Sequence, residues 1–201
     1  MRLGLRKKFL LTAAVTFGVY ALITAYQWYE ASHLEGDARR INLAGQLHYR
    51  VLEISMLMDH AAREPSLMET LRDEINTKAE EIEAIIHGLT SGSRQLGLEP
   101  LEYPDALVLV REIEKHYHRD ILPAIREFLR AGPQDAVVAM AGYDTRAVGF
   151  LQRADTLVNT LEKDHRKELL SLRNRALAMS VGFLVLLGAF VLLALRNILQ
   201  P

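Results

Sequence analysis

Two stretches decide the fold: FLLTAAVTFGVYALITAY at residues 9–26 and ALAMSVGFLVLLGAFVLLAL at residues 176–195. Neither contains a charged residue, whereas Asp, Glu, Lys and Arg occur throughout the chain between them. A helix needs ~20 mainly apolar residues to cross a bilayer. The two stretches therefore predict transmembrane helices at residues 9–27 and 176–195, flanking a water-exposed domain at residues 28–175.

Charges beside the first stretch predict its orientation. Four basic residues precede it, and the first charged residues after it are acidic. Short basic segments stay on the cytoplasmic side of a membrane. Residues 1–8 are therefore expected to form a basic cytoplasmic N-terminus, with the central domain outside and both chain ends inside. The alternative is a cleaved signal peptide, which begins with a similar basic segment.

Composition limits the function further. The chain has no cysteine, so it contains neither disulfides nor thiolate metal sites. All 25 acidic residues lie between Glu30 and Glu168, which makes the central domain mildly acidic. An acidic domain argues against nucleic acid as a partner. An anionic ligand would need a local positive site there, because the overall field of the domain does not attract it.

Helix-breaking residues mark the first two helices of the domain. The first continues from the membrane stretch, and its apolar residues recur at spacings of three, four and seven: Leu43, Leu47, Ile54, Leu57 and Ala61. Pro65 ends this helix. Ser66 and Glu69 then form a capping-box pattern, which predicts a second helix from there to about Leu89.

Two more helices follow a loop that contains Gly and Pro. Asp105 is the predicted cap of the third helix, which runs to about Arg130 and is expected to bend at Pro123. The fourth runs from Gln134 into the second membrane stretch and carries an apolar stripe: Val148, Leu151, Val158, Leu161, Leu169 and Leu172. Four antiparallel helices with short connections predict an all-α, up-down-up-down four-helix bundle.

The segment DARRINLAGQL at residues 37–47 resembles the start of the first sensory helix in a known family. This is the sensory domain shared by nitrate/nitrite sensor histidine kinases and type IV pili methyl-accepting chemotaxis transducers. The segments IIHGL at 85–89 and LVNTL at 157–161 are similar to that family as well, and RNILQP at 196–201 resembles the start of a HAMP linker. The resemblance implies a periplasmic sensor domain anchored in the bacterial inner membrane, with residues 196–201 starting a cytoplasmic linker.

The resemblance also implies a ligand site. In the family, a small oxyanion such as nitrate lies between the first helices of two subunits, held by an Arg side chain and by backbone near a Gly. Here the Gly is Gly45, whereas His48 stands at the Arg position. We therefore expect a homodimer whose ligand-binding residues are Asn42, Gly45, His48 and Arg50. Arg50 lies ~140° around the helix from Gly45, which favours solvent or the flank of the bundle.

The change from Arg to His leaves the chemistry of this site open. An arginine carries a permanent charge on a planar fork of donors, whereas a neutral histidine supplies one donor. Two facing His48 rings would bind an anion when protonated, share a metal ion when neutral, or sense pH. The alternative is that His48 only fills an interface position and forms a hydrogen bond there.

The sequence contains no catalytic motif. There is no nucleophile-base set at recognisable spacing, no Gly-rich phosphate loop and no zincin pattern, so no enzyme activity, cofactor or metal site is predicted. The predicted function is the input part of a transmembrane receptor. Its homodimer would sense a small molecule or anion and relay helix motion through the lipid bilayer to a cytoplasmic output module, such as a histidine kinase. The alternative is a ligand-free accessory or scaffolding subunit of a membrane complex.

Overall fold

The computed structural model of the chain describes residues 5–101, 103–132 and 134–199. All regular elements in these ranges are helical, which confirms the all-α class. They are α1 (Leu5–Arg63), a 3-10 turn (Pro65–Leu67), α2 (Met68–Ser91), α3 (Pro104–His116), a π turn (Tyr117–Ile121), α4 (Leu122–Arg130) and α5 (Ala136–Leu199). Residues 1–4 of the predicted N-terminus and 200–201 of the predicted linker lie outside the described residues.

The chain forms two compact units. The bundle unit is Gly36–His165, and the terminal unit combines Met1–Glu35 with Arg166–Pro201. Helices α1 and α5 contribute residues to both units. All the other helices belong to the bundle unit alone.

The terminal unit exposes apolar side chains along both of its helical segments. Phe17, Leu22 and Trp28 are exposed on α1, and Leu184 and Leu192 are exposed on α5. Within the described residues, one helix is long and apolar enough to cross a membrane: α5, none of whose apolar stretch is buried. The span at residues 9–27 stays a prediction.

The core of the bundle unit is built from one face of each helix. On α1 the predicted residues Leu43, Leu47, Ile54 and Ala61 are buried, and Leu57 packs against them. The largest fully buried side chains include Tyr117, Phe128, Tyr143 and Phe150. Each buried phenol is satisfied: Tyr117 donates to the Ala79 carbonyl at 2.7 Å and Tyr143 donates to the Val51 carbonyl at 2.8 Å. Burial raises the pKa of both tyrosines.

The apolar stripe predicted for α5 was wrong in part: Leu161 is buried, and Leu151 and Val158 pack against the core, but two other residues of the stripe are exposed. Val148 is 55% exposed and Leu169 is also exposed, whereas only Leu161 of that stripe is buried. The neighbouring face of α5 forms the core instead: Ala139, Tyr143, Ala147, Phe150, Ala154, Leu157 and Leu161. From Ala139 to Ala154 these residues alternate between small and aromatic, and the alanines leave space for the side chains of facing helices. The face of α5 with Val148, Leu151 and Val158 therefore lies beside the core.

Two predicted helix caps were also wrong. Ser66 lies in the 3-10 turn, so α2 begins later, after Leu67, with no side-chain cap hydrogen bond. The N-cap of α3 is Tyr103, and Pro104 takes the first position of the helix. Because proline has no backbone N–H, it suits that position without a cap. Asp105 then lies in the first turn, where the helix dipole favours a negative charge.

The predicted third helix is interrupted by a π turn just ahead of Pro123, and its bend at that residue stays a prediction. The Leu122 backbone N–H donates to the Tyr117 carbonyl, five residues earlier. A proline inside an α-helix lacks a donor and collides with the carbonyl four residues before it. The wider turn just ahead of Pro123 relieves this conflict while Tyr117 and Ile121 both stay buried.

Candidate functional site

The four predicted ligand residues lie on different faces of α1. Asn42 is exposed, and Gly45 is half-buried with nothing within 4 Å of the position that a Cβ would take. His48 lies on the side that contacts α5, and Arg50 lies on the side that contacts α2. The structure therefore separates Arg50 from His48.

Between these two flanks, α1 carries a line of residues that the rest of the described chain does not cover. Tyr49 is 59% exposed, Leu52 41% and Met56 72%. With Gly45 they follow steps of four, three and four residues, which is the spacing of a coiled-coil seam. We call Gly45, Tyr49, Leu52 and Met56 the outer line of α1.

His48 pairs with a residue that the sequence did not indicate. Its Nδ1 lies 2.8 Å from Oδ1 of Asp155 on α5. An ionised carboxylate only accepts, so Nδ1 carries the proton and Nε2 is left for any further partner. This contact agrees with a structural role for His48 within the subunit. The charge of Asp155 also opposes the binding of an anion at the same ring.

A second polar contact joins α1 and α5 along the same edge. Ser55 Oγ donates to Oδ1 of Asp144 at 2.6 Å. Asp144, Val148, Leu151 and Asp155 follow steps of four, three and four on α5, so they share one helix face. Because Asp144 and Asp155 contact α1, this face of α5 lies next to the outer line of α1.

Arg50 belongs to a cluster of four charges between α1 and α2. Its Nη1 donates to Glu53 at 2.8 Å, and its Nε lies 2.7 Å from Glu81. Lys78 Nζ lies 3.4 Å from Glu53 and 3.6 Å from Glu81. Burial raises the pKa of Glu53, but the hydrogen bond from Arg50 and the charge of Lys78 outweigh it and lower the pKa overall. The hydrogen bond to Glu53 in turn raises the pKa of Arg50.

This cluster lies at one end of a cleft of about 620 Å³. Helix α1, helix α2 and the loop that follows α2 each contribute to its walls. The apolar lining includes Leu43, Ile85 and Leu96, and the polar lining includes Gln46, Ser93 and Gln95. Local periodicity gives no sign of such a cleft, because its walls come from three separate segments.

A buried polar cluster lies where α1 begins and α5 ends within the bundle unit. Asp37 is 5% exposed and Arg40 is 9% exposed, and the two side chains are paired. Tyr103 donates to Oδ2 of Asp37 at 2.7 Å, and His165 Nδ1 lies 3.8 Å from the same oxygen. Asp37 therefore links α1, the loop before α3 and α5.

Comparison with known proteins identifies no relative. No family model matches the sequence, no curated protein matches it, and no solved structure matches its fold. Among the residues that the structure describes, no group of three or more His, Asp or Glu side chains is placed to hold a metal ion. Assignment to the sensory family, implied by residues 37–47, stays a prediction.

Proposed function

We propose that the chain is the input part of a transmembrane receptor that acts as a homodimer. In this proposal the bundle unit senses a small ligand where two α1 helices meet, and helix displacement carries the signal to a cytoplasmic output module. The outer line of α1 is the observation that carries the proposal. An exposed apolar seam at coiled-coil spacing is typical of a helix that packs against another helix.

The neighbouring face of α5 supports the same interface. Val148 is exposed, and Leu151 beside it is half-buried. Exposed apolar surface that is contiguous across two helices favours a protein contact over solvent. The open space around Gly45 would let the partner helix approach closely at that position.

The location of the receptor is part of the proposal. The exposed apolar stretch of α5 favours a membrane, and the predicted span at 9–27 would supply a second crossing. The basic residues ahead of that span favour a cytoplasmic N-terminus. We propose the bacterial inner membrane with the bundle unit in the periplasm.

The paired side chain of His48 restricts the ligand. A protonated His48 beside an ionised Asp155 has no net charge, so an oxyanion such as nitrate gains little attraction from the pair. Replacing Asp155 by Asn removes the opposing charge. If His48 is the anchor, this variant should bind nitrate more tightly than the native chain.

Calorimetric titration of the full chain in detergent with nitrate and nitrite tests the ligand. It is performed at about pH 5.5 and about pH 7.5, on either side of the ordinary histidine pKa of ~6.5. Binding that strengthens at the lower pH and in Asp155→Asn, and is lost in His48→Ala, supports His48 as an anion anchor. Binding that appears only in His48→Arg means that this chain has another ligand.

Crosslinking tests the dimer. The chain has no cysteine, so a disulfide forms only at an introduced position. Leu52→Cys should give a covalent dimer, and Glu80→Cys, exposed on α2, is the matched control. Gly45→Leu should reduce the Leu52→Cys crosslink, whereas Gly142→Leu, at an open position on α5, should not. Equal crosslinking at positions 52 and 80 would reject the interface.

One observation favours the second candidate function, a ligand-free accessory or scaffolding subunit. Both polar candidates, His48 and Arg50, already have partners within their own subunit. A dimer that binds neither anion in any of these variants would support this function over a receptor for oxyanions.

A further inference from the structure

We propose that the segment between α2 and α3 is a strap that couples the cleft to the point where α1 enters the bundle unit and α5 leaves it. The strap comprises residues 92–101 together with Tyr103. One of its ends lines the cleft, and the other contacts the buried polar cluster.

The first end of the strap lines the cleft. Ser93, Gln95 and Leu96 form one wall. Leu96 also packs on Gly88 of α2. A Cβ added at Gly88 would lie 2.7 Å from Cδ1 of Leu96. A side chain added at position 88 would therefore displace the end of the Leu96 side chain.

The middle of the strap is held in a fixed shape. The Ser93 N–H donates to the Leu98 carbonyl at 2.9 Å, and the Leu98 N–H donates back at 2.8 Å. Gly97 turns the chain between them with a φ of 62°, a conformation that other residues rarely adopt. Leu98 and Leu101 are buried in the core. In the proposal, displacement of Leu96 is passed along the strap through these contacts.

The second end of the strap is bound by buried charges on α1. Arg40 Nη2 donates to the carbonyls of Glu99 and Pro100 at 3.2 and 3.3 Å. Tyr103 donates to the carboxylate of Asp37, and Arg40 forms an ion pair with the same carboxylate. A buried ion pair that loses its partners is strongly unfavourable. Asp37 and Arg40 must therefore follow any movement of these strap atoms.

Helix α5 takes part through the same carboxylate. His165 Nδ1 lies 3.8 Å from Oδ2 of Asp37, the oxygen that accepts from Tyr103. A shift of the strap thus changes the contacts of both helices that continue into the terminal unit. The coupling itself does not require that the chain be a receptor, whereas its use as a signal relay rests on the proposed function.

Hydrogen exchange on the full chain in detergent tests the link from the polar cluster to the strap. Tyr103→Phe removes one hydrogen bond and keeps the ring. It should accelerate exchange of the Ser93 and Leu98 amides about five-fold, the effect of one net hydrogen bond. Tyr143→Phe is the matched control, because its hydroxyl also donates to a buried acceptor, on α1. It should leave these two amides unchanged. Equal exchange in native chain and Tyr103→Phe would overturn the link.

Two variants at the cleft test the link in the opposite direction, from the cleft to the polar cluster. Gly88→Ala pushes on Leu96, and Leu96→Ala removes its packing. Both should accelerate amide exchange several-fold at residues 36–41 of α1 and 161–165 of α5, neither of which lines the cleft. Gly142→Ala is the control. Exchange that changes only within 88–98 in both variants would overturn the proposal, whatever the ligand and dimer experiments show.

Discussion

Helix α1 carries two polar regions that are held in different ways. Where the helix enters the bundle unit, Asp37 and Arg40 are buried and contact the strap and α5. Three turns later, His48 and Arg50 are only partly buried, and each pairs along one flank of the helix. The first region is largely shielded from water, whereas the side chain of His48 in the second is 36% exposed.

Burial explains the difference. Transferring a charge out of water costs several kcal/mol unless its partners are all in place, so removing one partner of a buried pair is costly. A solvent-exposed pair contributes about 0–1 kcal/mol. We therefore expect variants in the first region to destabilise the fold and variants in the second to change binding or pH response.

The largest effect is expected from Arg40→Ala. It leaves the Asp37 carboxylate buried without its cation and should lower the free energy of unfolding by about 3–5 kcal/mol. Urea unfolding of the full chain in detergent, followed by circular dichroism, measures this difference. Adding Asp37→Asn should restore part of the loss, because it removes the uncompensated charge. If Arg40→Ala lowers the free energy of unfolding by less than about 1 kcal/mol, the buried pair contributes no more than an exposed pair does, and the two regions do not differ.

A smaller, pH-dependent effect is expected from Glu53→Gln. The folded chain lowers the pKa of Glu53 from its ordinary value of 4.5. Its stabilisation is therefore fully present above that value and is lost as the pH falls through the lower pKa of the folded state. Near neutral pH the variant should be less stable by about 1 kcal/mol.

The same unfolding experiment, repeated from about pH 7 down to about pH 3, tests this direction. The difference between native chain and Glu53→Gln should shrink as the medium becomes acidic. Glu112→Gln, at an exposed position on α3, serves as a control for the general loss of a negative charge. A difference that grows in acid would mean that Glu53 is not stabilised by Arg50 and Lys78.

The smallest effect on stability is expected from His48→Ala. The His48 ring is partly exposed and Asp155 largely so, so the free energy of unfolding should change by less than about 1 kcal/mol. A comparison of His48→Ala, Asp155→Asn and the double variant measures their coupling. A decrease of more than about 2 kcal/mol in the free energy of unfolding would show that His48 supports the fold. It would also argue against His48 as a ligand anchor.

Helix boundaries could be predicted from the sequence because their signals are local. Pro65 ends α1, and the absence of proline over the long last segment indicates the continuous α5. The core face of α5 could not be predicted in the same way. It uses alanines between Tyr143 and Leu157, and a stripe of Val and Leu on the neighbouring face gives the stronger hydrophobic signal.

The contacts of the candidate site join residues far apart in the chain, and the spacing of apolar residues in the sequence does not indicate them. His48 and Asp155 are 107 residues apart in the chain, and Arg40 and the Glu99 carbonyl are 59 apart. The sequence favoured solvent or the flank of the bundle for Arg50. Its side chain is partly buried and pairs with Glu81 on α2, a contact that was not predicted. Burial of Asp37 and Arg40 was missed, because charged residues indicate a surface unless a partner is known.

The π turn at Tyr117–Ile121 holds one residue more than an α-helical turn needs. Core residues Ile113, Tyr117 and Ile121 follow one another at two successive steps of four, which would drift around an ordinary helix by about 80°. The wider turn absorbs that drift. Chain length is thus constrained here: a one-residue deletion among the exposed positions 118–119 would convert the turn to α-helix and restore the conflict between Pro123 and the carbonyl four residues before it.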